Sequence, residues 1–443
     1  MRHSMLAALM LVGAATANLA EASALENSHR AQVAGIDLIT YRTDVKEVVV
    51  ILGSLPAGDA MAERGNIAVP TLVGMMLDRG TKTLNKFAIA EQLDSVGAEI
   101  AFSVGTQSLE FRAKCLKKDL PLVIGLIAAE LRTPSFQPQE FLKAKQQFIG
   151  ALEASAQNTE ARAQEAFKRA IFPQGHPNRP HTVSDYEAAA KAADLEEVKA
   201  FYAKYYGPSH LTLVAAGDVD ASETQTEIGK AFSGWTGGQD WVRPAAPAAL
   251  TAAREVSVPL ADKPSVSVIL GQPTGLRYRD PDALALRVGT AILGRGFTGR
   301  LMGTVRDKEG LTYNIGAAIA DDSIVDGSWD ISASFAPALL DKGIASTRRE
   351  LDKWWKDGVT DRELAERKQG LVGSYLVGLS TTAGLANTLL ANVQRGYDVN
   401  WLFGYPEAVN ALTRDQINAA IKKHLNPSVM ALVKAGSVAP AAH

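Results

Sequence analysis

The stretch AILGRGFTGRLMGTVRDKEGLTYNIGA, residues 291–317, is the part of the sequence that ordinary core packing explains least well. Three glycines open it within six residues: Gly294, Gly296 and Gly299. Glycine loses more backbone entropy than other residues when it becomes helical, so this segment predicts a flexible loop, although a simple turn between helices explains it equally well.

A helix, a glycine turn and a strand are predicted after this loop. Arg300–Glu309 carries an apolar helical stripe, and Gly310 stands where a left-handed C-terminal cap is expected. The following residues alternate with the period of a half-buried strand: Leu311, Tyr313, Ile315 and Ala317. This order places Arg306 in the last helical turn and Tyr313 near the start of the strand, where both can act on one ligand if they point the same way.

Composition describes an ordinary globular protein. A chain of 443 residues predicts two domains of about 200 residues each. The net charge of −2 argues against a surface for nucleic acid. The single cysteine, Cys115, cannot form an internal disulfide or supply a cysteine metal cluster.

The N-terminus has the form of a secretory signal peptide, predicted for residues 1–24. Arg2 and His3 precede the apolar run Met5–Ala17, and small residues near Ala24 offer a cleavage site. The run is shorter than the roughly 20 residues that a membrane-spanning helix needs. We therefore expect the mature chain to begin near Leu25 in the periplasm, without further membrane association.

The two halves of the chain repeat one order of elements. Ile269-Leu270-Gly271 repeats Ile51-Leu52-Gly53, and Val429–Val433 repeats Leu211–Ala215 at the same spacing. The first unit predicts a strand, a buried helix, a hairpin and a long helix that bends or breaks: Val48–Leu52, Ala68–Leu77, Ala98–Val104 with Gln107–Lys114, and Gln139–Phe172. We predict an α+β fold with domains at 25–232 and 253–443, joined by a Gly-, Pro- and Ala-rich linker at 233–252.

Three phrases of this duplicated chain carry a resemblance to a known family: GRLMGTVRDKEGLTYNIGA (299–317), FPQGHPNRP (172–180) and FYAKYYGPSHLTLVAAGDVD (201–220). They resemble the pitrilysin and insulinase family of inverted-zincin metallopeptidases, which includes the mitochondrial processing peptidases. The resemblance covers essentially the whole mature chain. It implies two homologous domains, each a mostly antiparallel sheet with packed helices.

The chain departs from that family at the zinc site. Active members carry H-x-x-E-H in the apolar helix before a Gly-Thr, and here Thr71, Gly74 and Met75 occupy the positions of the two histidines and the base. By the family's spacing, Ala151, followed by Leu152, stands where a glutamate would be the third ligand. A catalytic zinc needs about three N, O or S ligands, an open position for water and a general base. We therefore expect no zinc in this chain.

The remaining histidines do not predict another metal site. His176 and His181 are close in sequence, but they fall in a proline-rich loop and are interpreted as loop residues that hydrogen-bond the backbone. The sequence also contains no phosphate-binding loop and no nucleophile elbow.

The resemblance gives Arg306 and Tyr313 a role. In the family, an arginine and a tyrosine at matching positions face the zinc site and bind the substrate backbone near the scissile bond. Their donors can orient a peptide carbonyl and offset the charge that develops on it. Without the resemblance, Tyr313 is an ordinary strand aromatic and Arg306 a solvated cation at a helix end. In position, the loop from Gly294 to Gly299 resembles the glycine-rich loop of the processing peptidase's non-catalytic subunit.

These features together predict the zinc-free, substrate-binding subunit of a heterodimeric peptidase that degrades unfolded peptides. A homologous partner that carries H-x-x-E-H would supply the zinc. Two alternatives remain open: a structural subunit similar to the core proteins of respiratory complexes, and a homodimeric peptide-binding protein.

Overall fold

The computed structural model describes residues 26–62, 65–239 and 247–439. The predicted signal peptide at 1–24, and residues 240–246 of the predicted linker, lie outside the described residues. The described chain forms one sheet in each half, of six and five strands.

The first half forms the six-stranded sheet. Its strands are β1 (Ser28–Val33), β2 (Ile36–Arg42), β3 (Val48–Leu55), β4 (Glu99–Val104), β5 (Leu109–Leu116) and β6 (Thr212–Gly217). Their spatial order is β1-β2-β6-β3-β5-β4, with β2 and β6 parallel and the other neighbours antiparallel. Its helices are α1 (Val69–Leu77), α2 (Lys86–Val96), α3 (Leu120–Arg132), α4 (Pro138–Ala156), α5 (Thr159–Ile171), α6 (Val183–Ala192), α7 (Leu195–Tyr205) and α8 (Ala221–Ala231).

The second half repeats this plan with five strands. They are β7 (Arg254–Pro259), β8 (Val266–Pro273), β9 (Thr312–Ala320), β10 (Ser328–Phe335) and β11 (Ala431–Gly436), in the order β7-β11-β8-β10-β9. Its α-helices are α9 (Ala283–Gly294), α10 (Leu340–Asp357), α11 (Asp361–Leu379), α12 (Thr382–Gln394), α13 (Trp401–Ala411) and α14 (Arg414–His424), and Met302–Lys308 forms a π-helix. The predicted α+β class, with two mostly antiparallel sheets and packed helices, is confirmed.

Local sequence signals explain most element boundaries. Gly97 and Gly310 both adopt the left-handed conformation, with φ of 62° and 64°. The long predicted helix breaks before α5, where the Asn158 side chain accepts a hydrogen bond from the Ala161 backbone N–H. Helix α6 was not predicted, although Thr182 and Asp185 form a capping box at its start, a signal that the sequence contains.

Each half lends one helix to the sheet of the other half. Helix α5 of the first half packs on strands β7, β8 and β11, where Phe167 is fully buried. Helix α12 of the second half packs on strands β3 and β6, where Leu389 is 1% exposed. Each sheet therefore packs on one side against a helix from the other half of the chain, and the hydrophobic clusters at these contacts contain residues of both halves.

A buried polar bridge also joins the halves. The proline-rich loop places His176 Nε2 3.0 Å from Asp326 Oδ1, and Asn178 donates to the backbone oxygens of Asp321 and Asp326. His176 Nδ1 accepts from the Asn178 backbone N–H, so His176 is the loop residue bonded to backbone that the sequence predicted. Asp326 also accepts from the Ala248 backbone N–H at 2.8 Å. The phrase FPQGHPNRP thus fastens the first half to the second.

No single helix in the described part of the chain is long and apolar enough to cross a membrane. Helices α11 and α12 pass that test only as a pair, on length and composition, and they meet at a 110° bend.

Glu130 is a buried acid whose removal should stabilise the protein. It is 1% exposed, its Oε2 has no hydrogen-bond partner among the described residues, and burial together with Asp78 raises the pKa of its carboxyl to about 8. Between pH 4.5 and 8 the folded chain holds a proton that the unfolded chain releases, so the wild-type free energy of unfolding falls as pH rises through this range. Glu130→Met should raise that free energy by roughly 1–3 kcal/mol at pH 8 and by less at pH 5.

Urea denaturation at both pH values measures this difference. Glu196→Gln is the matched control, because the Glu196 side chain is 80% exposed and should change stability by less than about 0.5 kcal/mol. An equal effect of Glu130→Met at the two pH values would contradict the assigned titration.

Candidate functional site

Thr71, at one of the positions that the resemblance assigns to a zinc ligand, belongs to a hydroxyl network. Thr71 lies on helix α1 and donates from Oγ1 to Asp59 Oδ1 at 3.2 Å. Tyr186 of helix α6 donates from its hydroxyl to Asp59 Oδ2 at 2.9 Å. Burial raises the pKa of the Asp59 carboxyl to about 6, although both hydrogen bonds lower it. The Thr71 hydroxyl is thus engaged inside the protein.

Position 74, where the resemblance places the family's general base, is sterically closed. A Cβ atom on Gly74 would lie 2.3 Å from Cγ2 of Val104, at the end of strand β4. A glutamate at position 74 would require Val104 to move. The sequence shows the missing carboxylate, but only the packing shows that its space is filled.

Position 151, where the resemblance places the third zinc ligand, lies on helix α4, which packs against α1. Ala151 is exposed on this helix and offers no donor atom, while the neighbouring Leu152 is 9% exposed in the core of the first half. In the described part of the chain, no three His, Cys, Asp or Glu side chains are grouped so that they could hold a metal ion. A methyl group, a thioether and an engaged hydroxyl do not suit the family's catalytic zinc.

Gly74→Ala should lower the free energy of unfolding when residue 104 is valine and raise it when residue 104 is alanine. In the wild-type chain the new methyl meets Val104, and the free energy of unfolding should fall by about 1–2 kcal/mol. In a Val104→Ala chain the other contacts lie at 3.4 Å or beyond, so the helix-favouring alanine should stabilise by roughly 0.5–1 kcal/mol. A double-mutant cycle in urea measures both effects. Equal effects in the two backgrounds would show that Val104 does not close this position.

The second half brings Arg306 and Tyr313 together, as their spacing suggested. The guanidinium carbon of Arg306 lies 5.4 Å from the centre of the Tyr313 ring. Tyr313 is 86% exposed, and the Arg306 side chain is 29% exposed. Both side chains can therefore reach a ligand outside the chain.

Two departures from regular geometry place this pair. Arg306 lies in the predicted helix, which is a π-helix at this point, a form often found at functional sites. The register between β9 and β10 shifts so that Tyr313 and Asn314 face the single residue Ser334, which is a β-bulge. Strict alternation would place Tyr313 on the same face as Ile315, yet Ile315 is 1% exposed. The bulge accounts for the exposure of Tyr313.

Phe297 is a site residue that sequence reasoning missed. Its ring lies in the glycine loop, is 74% exposed, and has its centre 5.3 Å from the Arg306 guanidinium carbon. Arg306 therefore has two exposed aromatic neighbours, and cation–π contacts of this kind contribute about 0.5–1 kcal/mol each at exposed sites. The available signal was one large apolar residue in a loop of glycines. We call Phe297, Arg306 and Tyr313 the aromatic–arginine cluster.

The predicted binding glycines have structural roles of their own. A Cβ on Gly294 would lie 2.3 Å from the Ala317 backbone nitrogen, so this glycine lets helix α9 approach strand β9. Gly296 has a φ of 68°, and a Cβ on Gly299 would lie 3.0 Å from Gly294 Cα. Arg367 of helix α11 donates to Arg295 O and Thr298 Oγ1, which anchors the loop. These contacts explain the glycines without a ligand, and their binding role stays a prediction.

Two family models match the chain. Residues 54–182 match the model described as insulinase, peptidase family M16, and residues 192–371 match the peptidase M16 inactive domain. Together these ranges cover more than half of the chain. The protein belongs to peptidase family M16, the insulinase family, and it is of the non-catalytic type.

Curated relatives include proteins named as zinc proteases and one named as a non-peptidase. An uncharacterized zinc protease of Streptomyces coelicolor is 27% identical over 319 residues, which cover 71% of this chain and 69% of the relative. The non-peptidase homolog YmxG of Helicobacter pylori is 22% identical over 387 residues, 85% of this chain and 86% of that protein.

Solved structures show the same fold. The peptidase M16 inactive domain from Pseudomonas fluorescens superposes with a TM-score of 0.84 at 22% identity, covering 94% of this chain and 98% of that one. A protease from Helicobacter pylori gives a TM-score of 0.81 at 17% identity, with coverages of 92% and 98%. At sequence identities this low, the likeness to these structures shows a common fold and does not assign a function.

Proposed function

We propose that this chain is the zinc-free, substrate-binding subunit of a heterodimeric zinc metallopeptidase that degrades unfolded peptides in the periplasm. A homologous partner carrying H-x-x-E-H would supply the zinc, and this chain would supply Arg306 and Tyr313. The chain itself is expected to bind no zinc.

The observation that carries this proposal is the exposed aromatic–arginine cluster. The residues that contribute most to binding at interfaces are enriched in tyrosine and arginine, and contiguous exposed apolar surface often marks an interaction site. The Arg306 guanidinium and the Tyr313 hydroxyl can donate to a peptide carbonyl, and the Phe297 ring can contact a neighbouring apolar side chain.

Strand β9 supports an extended ligand. Among the strands that the structure describes, it pairs only with β10 and therefore lies at the edge of the sheet, where an extended peptide can be added as a further strand. Tyr313 lies near the start of this strand. A peptide bound along it would be recognised mainly through its backbone, so unfolded chains of varied sequence would serve as substrates.

Mixing the two subunits tests the proposal. The purified chain, combined with an H-x-x-E-H-bearing family member encoded in the same genome, should degrade an unfolded fluorescent peptide at least tenfold faster than that family member alone. No acceleration, with a complex demonstrated by size-exclusion chromatography, would refute the peptidase role. Peptide binding without acceleration would favour the peptide-binding alternative.

Metal analysis of the isolated chain tests the other half of the proposal. After purification in buffer containing zinc and gel filtration, the chain should carry far less than one zinc per molecule. A stoichiometric ion that a chelator removes would show that the ligands have been misassigned.

A further inference from the structure

Three arginines of the second half gather on two tyrosine rings, away from the residues used above. The guanidinium carbons of Arg287 and Arg395 lie 4.1 and 3.7 Å from the centre of the Tyr278 ring. The guanidinium carbon of Arg279 lies 5.3 Å from the centre of the Tyr397 ring, and the two rings are 6.2 Å apart. We call Arg279, Arg287 and Arg395 the arginine cluster.

Positive charge exceeds negative charge in this cluster. Among the described residues, Asp322 is the single carboxylate paired with any of the three guanidinium groups, and it pairs with Arg287. Arg395 donates to Ser323 Oγ at 3.2 Å, and Arg279 donates to the backbone oxygen of Gly396. Both of these acceptors are neutral, so two of the three guanidinium groups form no ion pair with the described residues.

Burial makes this imbalance costly. The Arg287 side chain is 21% exposed, and burial, together with repulsion from Arg395, lowers the pKa of its guanidinium to about 10. Burial also lowers the pKa of Arg395. Both groups remain cationic at neutral pH, and close like charges in a partly desolvated place favour the binding of an anion.

One hydrogen-bond donor of the cluster has no acceptor. Arg287 Nε is buried and has no hydrogen-bond partner among the described residues. A negatively charged acceptor would offset part of the cost of leaving this donor unpaired, after a small side-chain adjustment.

We propose that the arginine cluster is a binding site for an oxyanion, a carboxylate or a phosphate group. Guanidinium forks match both groups in geometry, and each of the three guanidinium groups lies over a tyrosine ring. The exposed Arg279 side gives the anion access from solvent. The ligand is either a free anion or the terminal carboxylate of a peptide, and this proposal does not depend on the peptidase role.

Isothermal titration of the full chain with inorganic phosphate tests the proposal, at an ionic strength kept constant with chloride. We expect saturable binding, weakened at least tenfold in Arg395→Gln, because Arg395 has no carboxylate partner to lose. Arg362→Gln is the matched control, since the Arg362 side chain is 87% exposed and lies outside the cluster. Acetate, and one peptide with a free or an amidated C-terminus, identify the source of the anion.

A peptide that binds only with its carboxylate free would assign the site to peptide termini, whereas phosphate and acetate binding alone would assign it to free anions. The proposal is overturned if phosphate and acetate do not bind and the free peptide binds no better than its amide. It is also overturned if Arg395→Gln binds as tightly as Arg362→Gln. If Arg395→Gln does not fold, Arg279→Gln, altered at the exposed edge, must show the loss in its place.

Discussion

Replacing Arg306 with alanine is expected to lower peptide degradation by the paired subunits about 100-fold. This loss corresponds to roughly 3 kcal/mol, the usual contribution of one donor aimed at the charge that develops on a carbonyl during attack. The free energy of unfolding should fall by no more than about 1–2 kcal/mol, because Arg306 loses two cation–π contacts and their rings, Phe297 and Tyr313, are 74% and 86% exposed. The measurement is the initial rate with an unfolded fluorescent peptide, together with the thermal midpoint of each variant.

Arg362→Ala is the control for this prediction, because Arg362 is an exposed arginine of the same half. Its rate should stay within about twofold of wild type. Tyr313→Phe removes only the hydroxyl and keeps the ring beside Arg306, so it separates hydrogen bonding from stacking. A wild-type rate in Arg306→Ala, or an equal loss in Arg362→Ala, would remove the aromatic–arginine cluster from the reaction.

Substitution of Phe297 should distinguish the contribution of this site to peptide binding from its contribution to the rate of cleavage. Its ring can contact bound peptide but offers no hydrogen bond to a carbonyl. Phe297→Ala should therefore weaken peptide binding several-fold, consistent with about 1 kcal/mol for an exposed aromatic contact, and leave the rate at saturating peptide nearly unchanged.

Phe167→Ala is expected to destabilise the whole protein by about 3–5 kcal/mol. The side chain is fully buried between helix α5 and the sheet of the other half, and removing it leaves a cavity there. The residue belongs to the first half by sequence, whereas Trp329 and Trp354 are buried in the core of the second half. Because the halves share these cores, we expect tryptophan fluorescence and circular dichroism to shift together in urea.

Phe87→Ala provides the control, since Phe87 is 74% exposed on helix α2 and should cost less than about 0.5 kcal/mol. Two separate transitions, with the tryptophan signal unmoved by Phe167→Ala, would mean that the halves unfold independently. In that case the exchanged helices would contribute little to the coupling between the two sheets.

Much of the fold could be predicted because local patterns and tertiary packing agree. The buried helix at Val69–Leu77, the hairpin before Leu116 and the glycine caps at 97 and 310 follow from periodicity and backbone preference alone. The repeat of short apolar runs correctly implied two similar sheets. Helix α6 was missed because a loop rich in proline precedes it and its apolar stripe is weak.

Two of the three members of the aromatic–arginine cluster were predictable from the sequence, but its geometry was not. The spacing of Arg306 and Tyr313 suggested a pair, yet alternation alone would have buried Tyr313 with Ile315. The bulge opposite Ser334 exposes Tyr313, and it depends on how β9 pairs with β10; Arg306 lies in the π-helix that precedes this strand. Phe297 joined the site only when the glycine loop was seen beside Arg306.

The sequence alone determined which side chains are present: no imidazole at positions 71 and 75, no carboxylate at position 74, and an arginine and a tyrosine in the second half. The recurrence of one order of helices and strands in the two halves is also visible in the sequence, because the periodicity and the capping residues that predict these elements are local properties. Two features are visible only in the tertiary structure: Val104 fills the space beside Gly74, and each half packs one helix on the sheet of the other half. The tertiary structure also gathered the three arginines on two tyrosine rings. Such contacts join residues far apart in sequence, and their energies depend on distances that no local pattern specifies.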